Sequence, residues 1–444
     1  MNTLSASRLG RLIAVLRGDK PLPAMLRSAG TQALIVLMNM LTGIITARLL
    51  GPEGRGIYAA VTLWPPLFGM LATAGLGSAV IFRLRRYPDA HGPVAGAALL
   101  LGLGYALGMI VIGALLLPWF MAQYWATTLL FAQVCLVTVA FNATQIVMKQ
   151  TFAGLGQYWY CNLTHLLPQL FHLLLLLAVM VVTLMTPAYA VIALFSASAL
   201  AVLAMLPRFI RAARPRLAGV TGEMRALSSY SMRAAPTGLV SALLLFSDRL
   251  VLIPLLPARE LGFYAVAFSF SRVIQFVQPA LQSIFLSHMA AQEAGVARRI
   301  HDEASRVLIA CLVLGCAALW LLGEWLLSFA YGAEFAAANT IFRVLIVEAS
   351  LSVLSQVTVQ LFLSRDRPGL VSAIQAAMLL VSFALLLTLV PMYGGLGAAV
   401  ALAIAGALRW IVLLVAMRRV LGGPWPRLWL NGADLRDLTR RVKR

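Results

Sequence analysis

Residues 50–61 read Leu50-Gly-Pro-Glu-Gly-Arg-Gly-Ile-Tyr-Ala-Ala-Val61, and residues 257–267 read Pro257-Ala-Arg-Glu-Leu-Gly-Phe-Tyr-Ala-Val-Ala267. Gly56-Ile57-Tyr58-Ala59 aligns with Gly262-Phe263-Tyr264-Ala265. Each copy follows a long apolar run, about 29–49 in one case and 229–254 in the other, and begins a new one. An echo at the same topological place in each half predicts two repeated halves. Because both copies follow an odd-numbered span, the repeat is parallel, with its axis along the membrane normal.

The composition makes lipid the solvent. Hydrophobic residues are 61% of the chain and charged residues 11%, against ~45–50% and ~25% in soluble domains. A span needs ~20 mostly apolar residues. The apolar runs place six spans at about 29–49, 57–80, 93–117, 126–147, 159–183 and 188–207. Six more follow at about 229–254, 262–287, 305–327, 338–363, 370–390 and 396–417. The predicted fold is therefore an all-α polytopic membrane protein of about 12 transmembrane helices in two six-helix lobes. The expected parts are a basic N-terminus (1–28), an N-lobe (29–207), a basic linker (208–228), a C-lobe (229–417) and a basic tail (418–444).

The net charge of +20 belongs to this topology. Basic residues fall in the short gaps between apolar runs rather than on a polar patch, which excludes nucleic acid as a partner. With the N-terminus inside, about 27 Lys and Arg lie in cytoplasmic segments and about 3 (Arg48, Arg55, Arg259) in external loops, the positive-inside bias. Both termini are expected in the cytoplasm. The first residues lack the apolar core and small-x-small site of a cleavable signal, and Leu9–Arg17 suits a basic interfacial helix. The four cysteines sit inside apolar runs and are expected to pack as small apolar groups.

An ionisable side chain within a span costs at least ~2.5–3.5 kcal/mol, so it faces a cavity or a partner. Arg272 and Arg409 lie near mid-span; Arg233, Arg249 and Arg343 lie toward span ends. The plainer reading of each is snorkelling or a structural ion pair; the functional reading is a cationic cavity for an anionic substrate, because the arginine fork suits phosphate. Asp248 and Glu348 are the well-placed acids within spans, either as static partners or as groups that titrate in an ion-coupled cycle.

Polar stripes at helical spacing add to the candidates. Asn162, His165, Gln169 and His172 share one face, as do Gln133, Thr138, Asn142 and Gln145; Asn39, Thr42 and Thr46; Arg272, Gln275, Gln278 and Gln282; and Ser372, Gln375 and Ser382. They are either helix–helix glue or the lining of a hydrated cavity matched to sugar hydroxyls. His165 and His172 lack further ligands at metal spacing, so neither a metal nor another cofactor is expected. The chain carries no phosphate loop, zinc-protease motif, nucleophile elbow or nucleotide-binding domain. Its external loops are short, which disfavours a membrane glycan polymerase or ligase. No enzymatic role is expected.

Five motifs carry a resemblance. Ala47-Arg-Leu-Leu-Gly-Pro-Glu-Gly-Arg-Gly-Ile-Tyr58, Phe152-Ala-Gly-Leu-Gly-Gln-Tyr158, Ser247-Asp-Arg-Leu-Val-Leu-Ile253, Tyr331-Gly-Ala-Glu-Phe335 and Tyr393-Gly-Gly-Leu-Gly-Ala-Ala399 occur in this order between about Ala29 and Arg419. In order and placement they resemble the bacterial oligosaccharide flippases, the polysaccharide transporters of the multidrug/oligosaccharidyl-lipid/polysaccharide (MOP) exporter superfamily. The resemblance implies an alternating-access carrier in the bacterial inner membrane. It would move an undecaprenyl-diphosphate-linked glycan to the periplasmic leaflet for lipopolysaccharide or exopolysaccharide assembly. Implied partners are that glycan lipid, membrane lipids, and polysaccharide polymerase or chain-length proteins. On this reading Arg272, Arg409, Arg48, Arg233, Arg249, Arg343, Asn142, Asn162, His165, Gln169 and Gln275 are candidates for the diphosphate and sugars, and Asp248 and Glu348 for ion coupling. The superfamily's lipid II flippases usually have fourteen helices, which argues against that branch. Its drug exporters often carry cations, which this arginine excess would repel.

Overall fold

The computed structural model describes residues 21–277 and 294–422, together with Trp425. Among them the regular structure is helical. Among the described residues nine stretches are long and apolar enough to cross a bilayer, and two of these, Gly30–Ala72 and Pro368–Leu421, run for 43 and 54 residues. A straight helix of the latter length would span about 80 Å at 1.5 Å per residue, against a hydrocarbon core of ~30 Å. Each must therefore turn back, and a glycine marks the place. In Pro21–Thr62 the chain breaks at Gly51 (φ 65, ψ −178), immediately before Pro52; in Pro368–Leu421 it breaks at Gly394 (φ 57, ψ −137). Only glycine takes such a φ without strain, and proline cannot continue the helix before it.

Counted at these breaks, the described residues make twelve helical passages. Residues 21–50 form α1. Residues 52–62 with Trp64–Ala72 and Leu76–Arg86 form α2. His91–Phe120 is α3, and Ala126–Cys135 with Thr138–Gly154 is α4. Tyr158–Val182 is α5, Pro187–Ala213 is α6 and Val220–Leu255 is α7. Ala258–Ser271, continued by a 3₁₀ turn over Arg272–Val277, is α8. Ala294–Tyr331 is α9 and Asn339–Leu363 is α10; residues 368–393 and 395–421 are α11 and α12.

Several spans, among them α1, α2, α3, α6 and α7, run longer than the apolar stretches that predict them. The gap expected to be shortest, between α5 and α6, is closed by Thr186, whose side chain accepts the Tyr189 backbone N–H ahead of Pro187. That pairing of cap and first-turn proline starts a helix firmly. The expected 208–228 linker is mostly helical, as the end of α6 and the start of α7, with a turn at 214–219 between them. Residues 1–20 of the expected N-terminal segment, the far end of α8 and nearly all of the basic tail lie outside the described residues, and residues 21–28 are helical as the start of α1.

The described residues divide into two compact units. The first takes α1 to Leu49 and everything from Ile57 to Phe246; the second takes Leu50–Gly56 and everything from Ser247 onward. In the first, Leu76, Val80 and Leu84 of α2 pack with Val94 and Leu101 of α3 and Leu227 of α7, and Phe152 of α4 meets Phe209 of α6 edge-on at 5.9 Å. In the second, Phe362 of α10, Met378 of α11 and Leu413 and Met417 of α12 form one cluster, and Phe270 of α8 stacks on Phe342 of α10 at 5.0 Å. Outside these cores the apolar residues face outward: Leu184, Val181 and Leu321 are 80–90% exposed. Such surfaces require lipid around them, and the protein is an integral membrane protein.

The second unit explains the repeated Gly-aromatic-Tyr-Ala step. Gly56 presses against the backbone carbonyl of Ala258, and Gly262 presses against that of Pro52, each too closely for a Cβ. Pro52 and Gly56 are one helical turn apart, as are Ala258 and Gly262. The two copies pack reciprocally through small residues, the contact that brings membrane helices closest.

Candidate functional site

The predicted candidates separate by unit. The second unit holds the charged ones. Three of its helices bring Arg272, Glu348 and Arg409 together. Arg272 ends α8, and its Nη2 lies 2.8 Å from Oε2 of Glu348 on α10. Arg409 on α12 donates from Nη2 to the Ser352 hydroxyl one turn beyond Glu348, at 3.3 Å, and lies within electrostatic reach of both Glu348 and Arg272. Arg409 also lines a small cavity with Ser355, Gln356 and Gln375.

Beside this cluster stands a second one. The Tyr264 hydroxyl donates to Oδ2 of Asp248 at 2.8 Å, and both residues are buried. Asp248 is thereby held by the neighbouring helix. The ring of Phe268 carries two guanidinium groups, Arg272 at 4.0 Å and Arg249 at 5.1 Å from its centroid. Each cation–π contact is worth ~0.5–2 kcal/mol, more where water is scarce. Tyr264, Phe268 and Arg272 recur every fourth residue of α8, so they share a face. Sequence reasoning missed Tyr264, Phe268 and Ser352; the four-residue spacing leading to Arg272 was the available signal for the first two.

The remaining predicted residues stand apart. Arg343 on α10 lies 5.5 Å from the Trp320 ring on α9. Gln275 is half-buried in the 3₁₀ turn after Arg272, while Gln278 and Gln282 of its stripe lie outside the described residues. In the first unit Arg48 is exposed at the end of α1. Arg233 on α7 is exposed too and donates to the Ser229 carbonyl at 3.3 Å.

Several members of the polar stripes are satisfied locally. Asn142 donates to the Thr138 carbonyl at 2.9 Å, and Thr46 to the Thr42 carbonyl at 2.7 Å. Gln145 ties α4 to the Thr164 carbonyl of α5 at 3.0 Å, and Gln133 ties it to the Ala114 carbonyl of α3 at 3.1 Å. Asn162, His165 and Gln169 are half-buried on α5 and His172 is fully so. Among the described residues no group of three or more His, Cys, Asp or Glu could hold a metal.

What the arrangement can do follows from its charge. Arg249, Arg272 and Arg409 face Asp248 and Glu348, and Asp248 already accepts from Tyr264. The cluster retains a cationic excess inside spans, where such charge is costly to keep without a role.

A multi-pass helical membrane protein with paired glycine-packed motifs and a cationic cluster in its second unit is the class defined so far. The family model described as "Polysaccharide biosynthesis protein" matches residues 27–285. The chain belongs to that family. No curated protein sequence matches it. Among solved structures it is similar to the lipid II flippase MurJ in an inward closed conformation, with a TM-score of 0.74 at 11% identity, covering 88% of this chain and 87% of that one. It is also similar to a multidrug resistance MATE family transporter of the MOP superfamily in its inward-facing conformation (TM-score 0.69, 14% identity, 90% and 98% covered). An outward-facing MATE structure matches at a TM-score of 0.60 and 17% identity, covering 92% and 97%. At these identities the likeness is one of fold: the chain has the two-lobe, twelve-helix fold of MOP transporters.

Proposed function

We propose that this protein translocates an undecaprenyl-diphosphate-linked oligosaccharide from the cytoplasmic to the periplasmic leaflet of a bacterial inner membrane by alternating access, for surface or exopolysaccharide assembly. Both termini lie in the cytoplasm on this reading, as the basic-residue bias requires. The observation that carries it is the Arg272–Glu348–Arg409 cluster, a cation-rich group within the spans of a polysaccharide biosynthesis family member. Arginine forks match the oxygens of a diphosphate, which supplies more negative charge than Glu348 alone can. The half-buried amides of the first unit, Asn162 and Gln169, suit sugar hydroxyls, and Arg48, Arg233, Arg249 and Arg343 are weaker candidates for the same cargo. Asp248 and Glu348 are the candidates for ion coupling. A polysaccharide polymerase and chain-length proteins are the proposed downstream partners.

A multidrug or small-molecule antiporter is the second reading, supported by the MATE-like fold. The arginine excess opposes it where the cargo is a cation. Deleting the gene separates the two. The flippase reading expects lipid-linked glycan to accumulate in the cytoplasmic leaflet and surface polysaccharide to disappear. Intact surface polysaccharide with heightened drug sensitivity would transfer the protein to the second reading.

A further inference from the structure

The ion pair between Arg272 and Glu348 is close but poorly made. Its nitrogen and oxygen approach to 2.8 Å, yet Glu348 Oε2 takes part in no hydrogen bond with good angles, and the Nε atoms of Arg272 and Arg409 have no acceptor among the described residues. Arg409 has one described hydrogen bond, to the neutral Ser352 hydroxyl. Two half-buried guanidinium groups thus lie near one carboxylate, and an N–H donor on each is left over among the described residues. A carboxylate offers two oxygens and one charge, so it cannot saturate two planar forks.

That pattern differs from a structural salt bridge. A buried pair repays its desolvation only when its geometry is good and its remaining donors are satisfied. The neighbouring Asp248–Tyr264 contact meets this standard at 2.8 Å. The Arg272–Glu348 pair does not, although its carboxylate side chain is only 10% accessible. The Arg272 side chain is 25% accessible, so water can reach the pair but cannot supply the missing negative charge. A ligand with several anionic oxygens and more than one charge can.

We propose that Glu348 is a resident counter-ion: it occupies the arginine fork in the unloaded protein and is displaced when a diphosphate group binds. This rests on the proposed anionic cargo and adds to it a selection rule. Glu348 neutralises the arginines while the site is empty, so any ligand must outcompete it. A phosphodiester lipid brings one negative charge and gains little by the exchange. A diphosphate brings at least two, with oxygens enough for both forks. Glu348 is therefore a specificity-determining residue that keeps abundant anionic phospholipids from filling the site.

Ligand binding to the purified full chain in nanodiscs tests this, with farnesyl diphosphate and a short-chain phosphatidylglycerol, a singly charged phosphodiester, as probes. Glu348→Gln should bind the diphosphate about tenfold more tightly than wild type, the worth of roughly one charge-assisted contact no longer competed for. It should also acquire measurable phosphatidylglycerol binding that wild type lacks. Glu348→Asp keeps the charge but withdraws it by one methylene, so it should fall between the two, and it decides the matter if the glutamine variant does not fold. A role limited to stability would not raise affinity. Unchanged or weakened diphosphate binding in these variants, with wild type still binding, overturns the counter-ion role and leaves the cargo reading standing. Absence of diphosphate binding in wild type and both variants overturns both.

Discussion

The two units differ in what their best-defined side-chain contacts within the spans are made of. In the first, amides and hydroxyls are spent on backbone carbonyls: Asn142 on Thr138, Gln145 on Thr164 and Gln133 on Ala114. Its best-made ion pair, the two-pronged contact of Arg83 with Glu223 at 2.6 and 3.0 Å, joins the end of α2 to the start of α7. In the second, charges within the spans stay incompletely matched, with donors of Arg272 and Arg409 unpaired among the described residues. The difference teaches which polar groups are glue. A side chain that finds a carbonyl on its own or the next helix has completed its task; on the proposed reading, a fork with N–H donors to spare is open to a ligand.

The largest expected effect is on the second unit. Removing both forks with Arg272→Ala and Arg409→Ala together should abolish transport in a glycan-flipping assay. Each single change should cost on the order of 10–100-fold, since a hydrogen bond to a charged group is worth about 1.5–3 kcal/mol. Wild-type transport in both single variants would break the comparison. Next comes the reciprocal contact. Gly56→Val or Gly262→Val drives a side chain into a backbone carbonyl that cannot swing aside; overpacking of this kind costs about 1–3 kcal/mol or more and should lower the melting temperature in detergent. A double variant no worse than either single one would indicate that both act on one contact.

Tyr264→Phe should come third. It strips the hydroxyl donor from buried Asp248, at about 1–3 kcal/mol, and chemical denaturation should register the loss. In the first unit Glu223→Gln should cost no more than about 1 kcal/mol, because pairs near water contribute little. Arg233→Ala is expected to change stability by less than about 0.5 kcal/mol and to leave glycan flipping near wild type. A strong transport defect in Arg233→Ala would mean that exposed arginines of the first unit share the work now assigned to the second.

Reading the sequence alone went furthest where the signal was physical and local. Length and hydropathy placed the spans, because a bilayer of fixed thickness demands about twenty apolar residues of any helix. The span containing Arg272 and that containing Arg409 were recognised in this way, as was the anomaly of charge inside them. The Gly-aromatic-Tyr-Ala echo also stood out. Its packing did not: alignment suggested duplication, and the structure adds that Gly56 sits against Ala258 and Gly262 against Pro52. Likewise Asp248 and Arg249, neighbours in sequence, find different partners, Tyr264 for one and the Phe268 ring for the other.

The sequence by itself thus determined that this protein lives in a membrane, how often it crosses, and which side chains would be expensive to keep there. Hydrophobic burial is a sum over residues, so composition and order suffice for it. Only the tertiary structure decided which costly groups meet. Arg272, Glu348 and Arg409 come from three helices separated by dozens of residues, and whether a buried charge is paid off by a neighbour or left for a ligand depends on distances of a few ångströms and on the direction of a single N–H.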